Sequence, residues 1–555
     1  PAADNGDDAA LDNLRWLRGY DTEDVGNDHR TWTLADVLHS KPLTLNYGAR
    51  DINPGSGADY SADVNPDIRI FMGTNDGFMH QFQNTAAGTD APSATDPDEQ
   101  FGAEIWSFMP RELLDNVYAL RKNLSIPDWH PYGVDGPAVA FVIDNNGDGA
   151  IDSRSDAVGG CSDTTVGDNG VGGQYCDKAY IYFGLRRGGN SYYALDVSNP
   201  DDAPTMLWSI KNPLPADFPT TLPTGDFAEL GMSFSAPRTA WVKYEADGEA
   251  TPVLIFGGGY YGGWQDSDNN GELDARVGKD DLAYAATGAS PDPVGAAIYI
   301  VHARTGALIW KATHGGSTGN VSVTEYNHAD MHDSIPSEVA TFDSDGNGIT
   351  DRIYVGDTGG SVWRIDLEEG RSVTGGSDQR SAWFASRFAN LADSNDKQLR
   401  FFHRPDIVSV NDGGVSKHLV VMGSGDRAHP RSDALTENKF FVLKDDKAVS
   451  GDTSVITRGV LALGSLENIT NSCVLGNETG CVTGNLTANG WVLDLEAGDA
   501  EKNLGSPVVI EGKVLFTAYA PGGVDDGSGG SSCSVSVGES LLYAVSLANG
   551  AAVFN

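Results

Sequence analysis

The chain has 555 residues, 78 of them acidic against 37 basic, and a formal net charge of −41. Binding nucleic-acid phosphates needs clustered Lys and Arg, so that balance argues against a nucleic-acid partner, and no run of about 18 apolar residues is present to cross a membrane as a helix. The 68 glycines and the scarcity of helix-period segments favour many short strands joined by tight turns.

Residues 1–30 read as an acidic, polar lead-in, with one amphipathic patch from Leu11 to Leu17 that predicts a short helix. Pro1 is not followed by a basic-then-apolar leader, so the chain is expected to be a processed or excised part of something longer. A loose repeat sets in near Ile68: an apolar strand, a glycine turn and a second strand. Its copies start at Ile70, Tyr180, Val253, Ile353, Leu419 and Val514, and their second strands end at Phe82, Asp196, His302, Asp366, Leu443 and Val545. Each copy is a hairpin with its own turn signals, and one hairpin cannot bury a core alone, so the copies must stack. Radial stacking hides the strand edges and gives an all-β propeller, a single domain over residues 1–555. Six copies are visible, and residues 32–50 or 102–142 are expected to complete a seventh blade. The remaining length falls into inserted loops such as 86–100 and 153–177. A parallel β-helix fits less well, because its repeat would be much shorter.

Three stretches carry oxygen-bearing side chains at relative positions 1, 3, 5 and 9, with glycine at position 6 and a backbone carbonyl on offer at position 7. In chain order these are Asp144, Asn146, Asp148, Ala150 and Asp152; Asp266, Asp268, Asn270, Glu272 and Asp274; and Asp343, Asp345, Asn347, Ile349 and Asp351. A hard divalent cation wants six to eight oxygens, and a short loop with alternate inward residues supplies most of them, so calcium is the expected ligand. Asp/Asn/Gly turns without metal are common, but the pattern here stays in phase three times. Position 12 of the last copy is Tyr354 rather than Glu, and Arg352-Ile-Tyr-Val-Gly356 reads as a strand, so the loop sits on β-structure and not in an EF-hand.

The cysteines are Cys161, Cys176, Cys473, Cys481 and Cys533. The first two pairs flank short loops, a spacing that suits local disulfides outside the cytosol and leaves Cys533 over. His328 and His332 stand four apart, but without the Glu of a zinc-protease helix they read as a polar loop. Gly257–Gly263 lacks the Lys-Ser/Thr of a phosphate cradle, and Gly315–Gly319 leads into strand-like sequence rather than the helix a nucleophile elbow needs.

The stretch Val339-Ala-Thr-Phe-Asp-Ser-Asp-Gly-Asn-Gly-Ile-Thr-Asp-Arg-Ile-Tyr-Val-Gly-Asp-Thr-Gly-Gly-Ser-Val-Trp-Arg-Ile-Asp-Leu367 resembles the C-terminal domain of the PilY-type (PilC-type) tip-associated proteins of bacterial type IV pili. Supporting matches run in order along the chain: His39-Ser-Lys-Pro42, Met72-Gly-Thr-Asn-Asp-Gly77, Tyr193-Ala-Leu-Asp-Val-Ser-Asn-Pro200, Leu230-Gly-Met-Ser-Phe-Ser-Ala-Pro237 and Gly490-Trp-Val-Leu-Asp-Leu495. The resemblance implies a modified seven-bladed, quinoprotein-like propeller with a calcium loop at Asp343, Asp345, Asn347, Ile349 and Asp351. It implies no enzymatic activity, but calcium-linked control of pilus extension against retraction, and adhesion. The implied partners are minor pilins and a host or abiotic surface. The implied location is extracellular or outer-membrane-associated at the pilus tip, with a transient periplasmic stage. The 144 and 266 copies rest on spacing alone, and the N-terminal region usual in the family, often resembling a von Willebrand factor A domain, is expected to be missing. Two other readings compete. An integrin-α-type adhesion propeller has similar loops, but its Phe-Gly…Gly-Ala-Pro signature is not visible. A quinone-dependent dehydrogenase often stacks its cofactor on adjacent bonded cysteines, and no Cys-Cys pair occurs.

Overall fold

Runs such as Leu419-Val-Val-Met422 are apolar at every position, which a strand requires when both of its faces are covered. The computed structural model describes residues 6–22, 29–31, 33–49, 66–84, 102–123, 131–145, 147, 149–151, 177–215, 218–245, 248–265, 275–281, 291–367, 378–392, 399–430, 437–446, 459–470, 489–495, 500–521 and 538–553. In it, successive side chains of such runs enter two different cores, as the two-residue period of a strand dictates. Leu419 and Val421 pack with Phe440, Trp491, Val514 and Phe516. Val420 and Met422 pack with Tyr354, Phe388, Phe401 and Phe441. Ile353 and Val355 turn the other way from Tyr354 and join Val253, Ile298, Trp310 and Trp383. Truncating a fully buried tryptophan such as Trp363 to alanine would cost about 3–5 kcal/mol.

The chain forms two compact units, Pro1–Lys211 and Asn212–Asn555. The first unit holds two four-stranded antiparallel sheets. One consists of Leu43–Ala49, Pro66–Gly73, Met79–Asn84 and Glu104–Phe108; the next consists of Ala138–Ile143, Lys178–Gly184, Ser191–Asp196 and Thr205–Lys211. Their shared core includes Leu45, Phe71, Trp106, Ile181, Phe183 and Leu195.

The second unit holds four further large sheets and one two-stranded sheet among the described residues. The third sheet runs Arg238–Val242, Thr251–Gly257, Ala297–His302 and Leu308–His314, then adds Glu325–His328 in parallel. The fourth runs Ala340–Phe342, Arg352–Gly356, Ser361–Asp366 and Phe384–Asn390, with Leu461–Ala462 added in parallel. The fifth runs Asp406–Asp412, Val415–Gly423, Lys439–Asp445 and Gly490–Asp494. The sixth is built on Val508–Ile510, Lys513–Ala520 and Glu539–Ser546.

The six hairpins expected from sequence are the second and third strands of these six sheets. Among the described residues, 32–50 and 102–142 contribute edge strands to the first two sheets rather than a sheet of their own. A bare hairpin leaves two rows of unpaired backbone groups, which such flanking strands satisfy. The helix expected over Leu11 to Leu17 spans Gly6–Leu17. Among the described residues no helix is long and apolar enough to cross a membrane. All five cysteines lie outside the described residues.

Candidate metal centre

The loop 343–351 joins the first two strands of the fourth sheet. Gly346 and Gly348 have φ of +79° and +86°, a left-handed conformation that glycine adopts without strain. These two turns curl the backbone amides inward around Asp343. Its Oδ1 accepts from the amides of Gly346 at 2.7 Å and Asn347 at 3.2 Å, and its Oδ2 from Gly348 at 2.7 Å. Burial works against the charged form of Asp343, but these amides outweigh it and hold the pKa below the usual carboxylate range.

Asp351 closes the loop from the other end. It is 7% exposed, and its Oδ2 accepts from the amide and hydroxyl of Ser344 at 3.0 and 2.6 Å. Among the described residues its Oδ1 is buried with no hydrogen-bond partner, and a cation, Arg352 Nη1, stands 4.0 Å away. Arg352 is itself fully buried, with Nε 3.0 Å from Asp366, so the root of the loop is fixed. Burial pushes the Asp351 pKa up, against the Ser344 hydrogen bonds and Arg352.

Asp343, Asp345 and Asp351 each present an oxygen, and the three oxygens lie within 4.8 Å of one another. Two unit charges 4 Å apart repel by about 1 kcal/mol in water and about 4 kcal/mol near a protein surface. A turn that gathers three carboxylates and leaves one buried oxygen unpartnered is a donor set for a hard cation. Asn347 spends its side chain inside the loop: Oδ1 accepts from the Ile349 amide at 2.7 Å and Nδ2 donates to Asp345 at 3.2 Å. An amide oxygen has a second lone pair, so Asn347 can still face an ion.

The 144 loop takes the same place in the second sheet, between its first two strands. Gly147 and Gly149 have φ of +73° and +83°, and their amides donate to the two oxygens of Asp144 at 2.6 and 2.8 Å. Both loops dock alike on the first strand of the preceding sheet. The Ile151 amide donates to Asn46 O at 2.9 Å, and the Thr350 amide to Trp241 O at 2.8 Å. Ala150 is buried; Asn146, Asp148 and Asp152 lie outside the described residues.

One residue escaped the spacing. The amide of Asn145, second in its loop as Ser344 is in the other, donates to Asp177 Oδ1 at 2.8 Å. Asp177 is 1% exposed and immediately precedes the strand Lys178–Gly184, as Asp351 precedes Arg352–Gly356. The available signal was an Asp directly before the second strand, not the ninth position of a count.

The 266 copy sits differently. Its flanks Trp264–Gln265 and Ala275–Arg276 pair as a two-stranded hairpin between the second and third strands of the third sheet. Asp266, Asp268, Asn270, Glu272 and Asp274 all lie outside the described residues.

No family model matches the chain. The type IV pilus biogenesis factor PilY1 of Pseudomonas aeruginosa (strain PAK) is 22% identical over 499 residues, which cover 84% of this chain and 33% of that protein. A PilY1 homolog of Xylella fastidiosa (strain Temecula1) is 23% identical over 552 residues, covering 94% of this chain and 29% of that one. The chain thus spans about a third of the length of these curated relatives. The crystal structure of the Pseudomonas aeruginosa PilY1 C-terminal domain matches with a TM-score of 0.51 at 18% identity, over 87% of this chain and 79% of that chain. The fold class is the all-β propeller expected from the sequence.

Proposed function

We propose that the chain, similar to the C-terminal domain of the PilY1-type pilus biogenesis factors, is a calcium-binding, non-enzymatic part of type IV pilus biogenesis. It works by docking rather than turnover, at the bacterial surface, against minor pilins and a host or abiotic surface. The single domain expected over residues 1–555 is carried as part of this reading. The observation that supports it most is the buried, unpartnered Oδ1 of Asp351 beside two further carboxylates.

Asp343, Asp345 and Asp351 would hold calcium with the side chain of Asn347 and the carbonyl of Ile349. In the 144 loop the holders would be Asp144, Asn146, Asp148 and the Ala150 carbonyl, closed by Asp152 or by Asp177. In the 266 loop they would be Asp266, Asp268, Asn270, Glu272 and Asp274. When bound, the ion supplies the positive charge that three gathered carboxylates otherwise lack. The residues of the chain do the rest: Gly346 and Gly348 set the curl, and Ser344 pins Asp351. The Thr350 amide ties the ordered loop to the neighbouring sheet. A loop ordered in this way presents one geometry to a partner, and loss of the ion releases it, which is how calcium would bias extension against retraction.

Calorimetric calcium titration of the wild type and Asp343→Ala tests the site, with the same substitution scored in cells for surface pili and twitching. The variant is expected to bind one calcium fewer and to alter piliation. Unchanged stoichiometry would remove the 343 loop from the site, and unchanged pili with calcium lost would remove the link to pilus control.

A further inference from the structure

From sequence, His328 and His332 are two polar-loop histidines; the fold adds a third imidazole to them. The strand Leu308–His314 pairs in parallel with Glu325–His328, and the register sets His314 opposite His328. Parallel neighbours are about 4.8 Å apart, so His314 and His328 end their strands as backbone neighbours. The chain then turns rather than continuing as a helix. Met331 is fully buried in that turn and its amide donates to His328 O at 3.2 Å. The turn brings His332 back until its ring centre lies 4.9 Å from that of His314.

Packed rings commonly stand this close, and two imidazoles on one tetrahedral ion, each nitrogen about 2.0–2.1 Å from the metal, would also hold their ring centres roughly 5 Å apart. His314 Nδ1 is buried and has no hydrogen-bond partner among the described residues, so it can take a ligand. Burial, and next to it the nearby His332, hold the His314 pKa below its ordinary value.

We infer that His314 and His332, with His328 alongside, form a second kind of metal site, one for a borderline transition ion such as Zn²⁺ or Cu²⁺. Nitrogen donors select these ions, whereas the oxygen-lined loops select calcium, so the two sites do not compete. His328 is the reserve ligand. Its Nδ1 now accepts the Asp330 amide at 3.1 Å and its ring packs 4.8 Å from Trp363, so it must rotate to join. Among the described residues only the Asp343, Asp345 and Asp351 set brings three donor atoms within 4.8 Å of one another. The histidine site is accordingly a two-imidazole site that water completes.

Zinc chloride titrated into calcium-saturated protein tests this, read by calorimetry alongside the electron paramagnetic resonance spectrum of the Cu²⁺-loaded protein. The wild type is expected to take one zinc with a dissociation constant on the order of micromolar. His314→Gln and His332→Gln are expected each to weaken that binding at least about tenfold while still binding calcium as the wild type does, which shows them folded. The Cu²⁺ spectrum is expected to carry hyperfine splitting from two imidazole nitrogens. A wild type that takes no zinc, variants that bind zinc unchanged, or an all-oxygen Cu²⁺ spectrum would each overturn the site.

Discussion

The 343 and 144 loops share a backbone and differ in how they close. Both have two left-handed glycines, both wrap amides onto a leading Asp, and both hang their eighth amide on the first strand of the preceding sheet. In the 343 loop the closing carboxylate is Asp351, eight residues after Asp343. In the 144 loop the same hydrogen bond goes to Asp177, far along the chain but in the same place before the second strand. The closing position is therefore defined by the sheet and not by a residue count. Chain inserted ahead of it costs little, because the entropy of loop closure grows only with the logarithm of length.

The largest effect on this pair of loops is expected from removing calcium. At a hundredfold excess over its dissociation constant, each bound ion stabilises the folded state by about 2.7 kcal/mol. Calorimetric scans in chelator and in millimolar calcium are expected to separate clearly. Superimposed scans would mean neither loop holds metal, and the likeness between them would be one of turn geometry alone.

The second loop is where the two ways of finding the closing residue part company. Asp177→Asn is expected to abolish calcium binding in the 144 loop and leave the 343 loop filled, giving one calcium fewer per chain by metal analysis. Asp152→Asn is expected to do this only if counting residues was the right guide, so the two variants sort the alternatives directly.

A smaller effect tests whether the shared curl is needed equally in both. Gly348→Ala and Gly149→Ala meet no atom within 4 Å, so each carries only backbone strain at φ of +86° or +83°. Each is expected to cost about 1 kcal/mol in chelator, by denaturant unfolding. Unequal costs would show that the two turns are not equivalent.

The smallest effect separates the two ends of one loop. The folded pKa of Asp351 is raised, so its contribution to stability is fully present below the unfolded pKa and fades as pH rises through the folded value. At neutral pH without calcium this buried charge is a burden. Asp351→Asn is therefore expected to melt higher than the wild type in chelator at pH 7, while losing the calcium-dependent rise. Asp343 has the opposite sign: its lowered pKa contributes stability that is lost as pH falls through it. A Asp351→Asn protein that melts lower at pH 7 would mean the Ser344 hydrogen bonds outweigh burial.

Much of this molecule was legible because strands covered on both faces must be apolar throughout. Val253-Leu-Ile-Phe256 and Ile353-Tyr-Val355 announced the middle strands of their sheets, and the glycine phase of 343–351 announced its curl. The half-exposed edge strands were harder to assign. The strand Asp406–Asp412 is only partly buried along its length, and Glu104–Phe108 mixes exposed and buried positions, so neither reads as a continuous run. Pairings that skip along the chain left no local trace at all. The parallel addition of Glu325–His328 puts His314 against His328, and nothing in the spacing of those residues hints at it. Asp177 was missed for the same reason, since proximity in space there is set by the sheet across a long insertion.

The amides of Thr350 and Ile151 have a mechanical meaning. Each hangs a carboxylate turn on the strand next door, Trp241 in one case and Asn46 in the other. A tug that parts either sheet from its neighbour must first unbend that turn, so the knot of negative charge lies in the path of the strain. Stiffening the knot is therefore expected to raise the force at which the seam gives way.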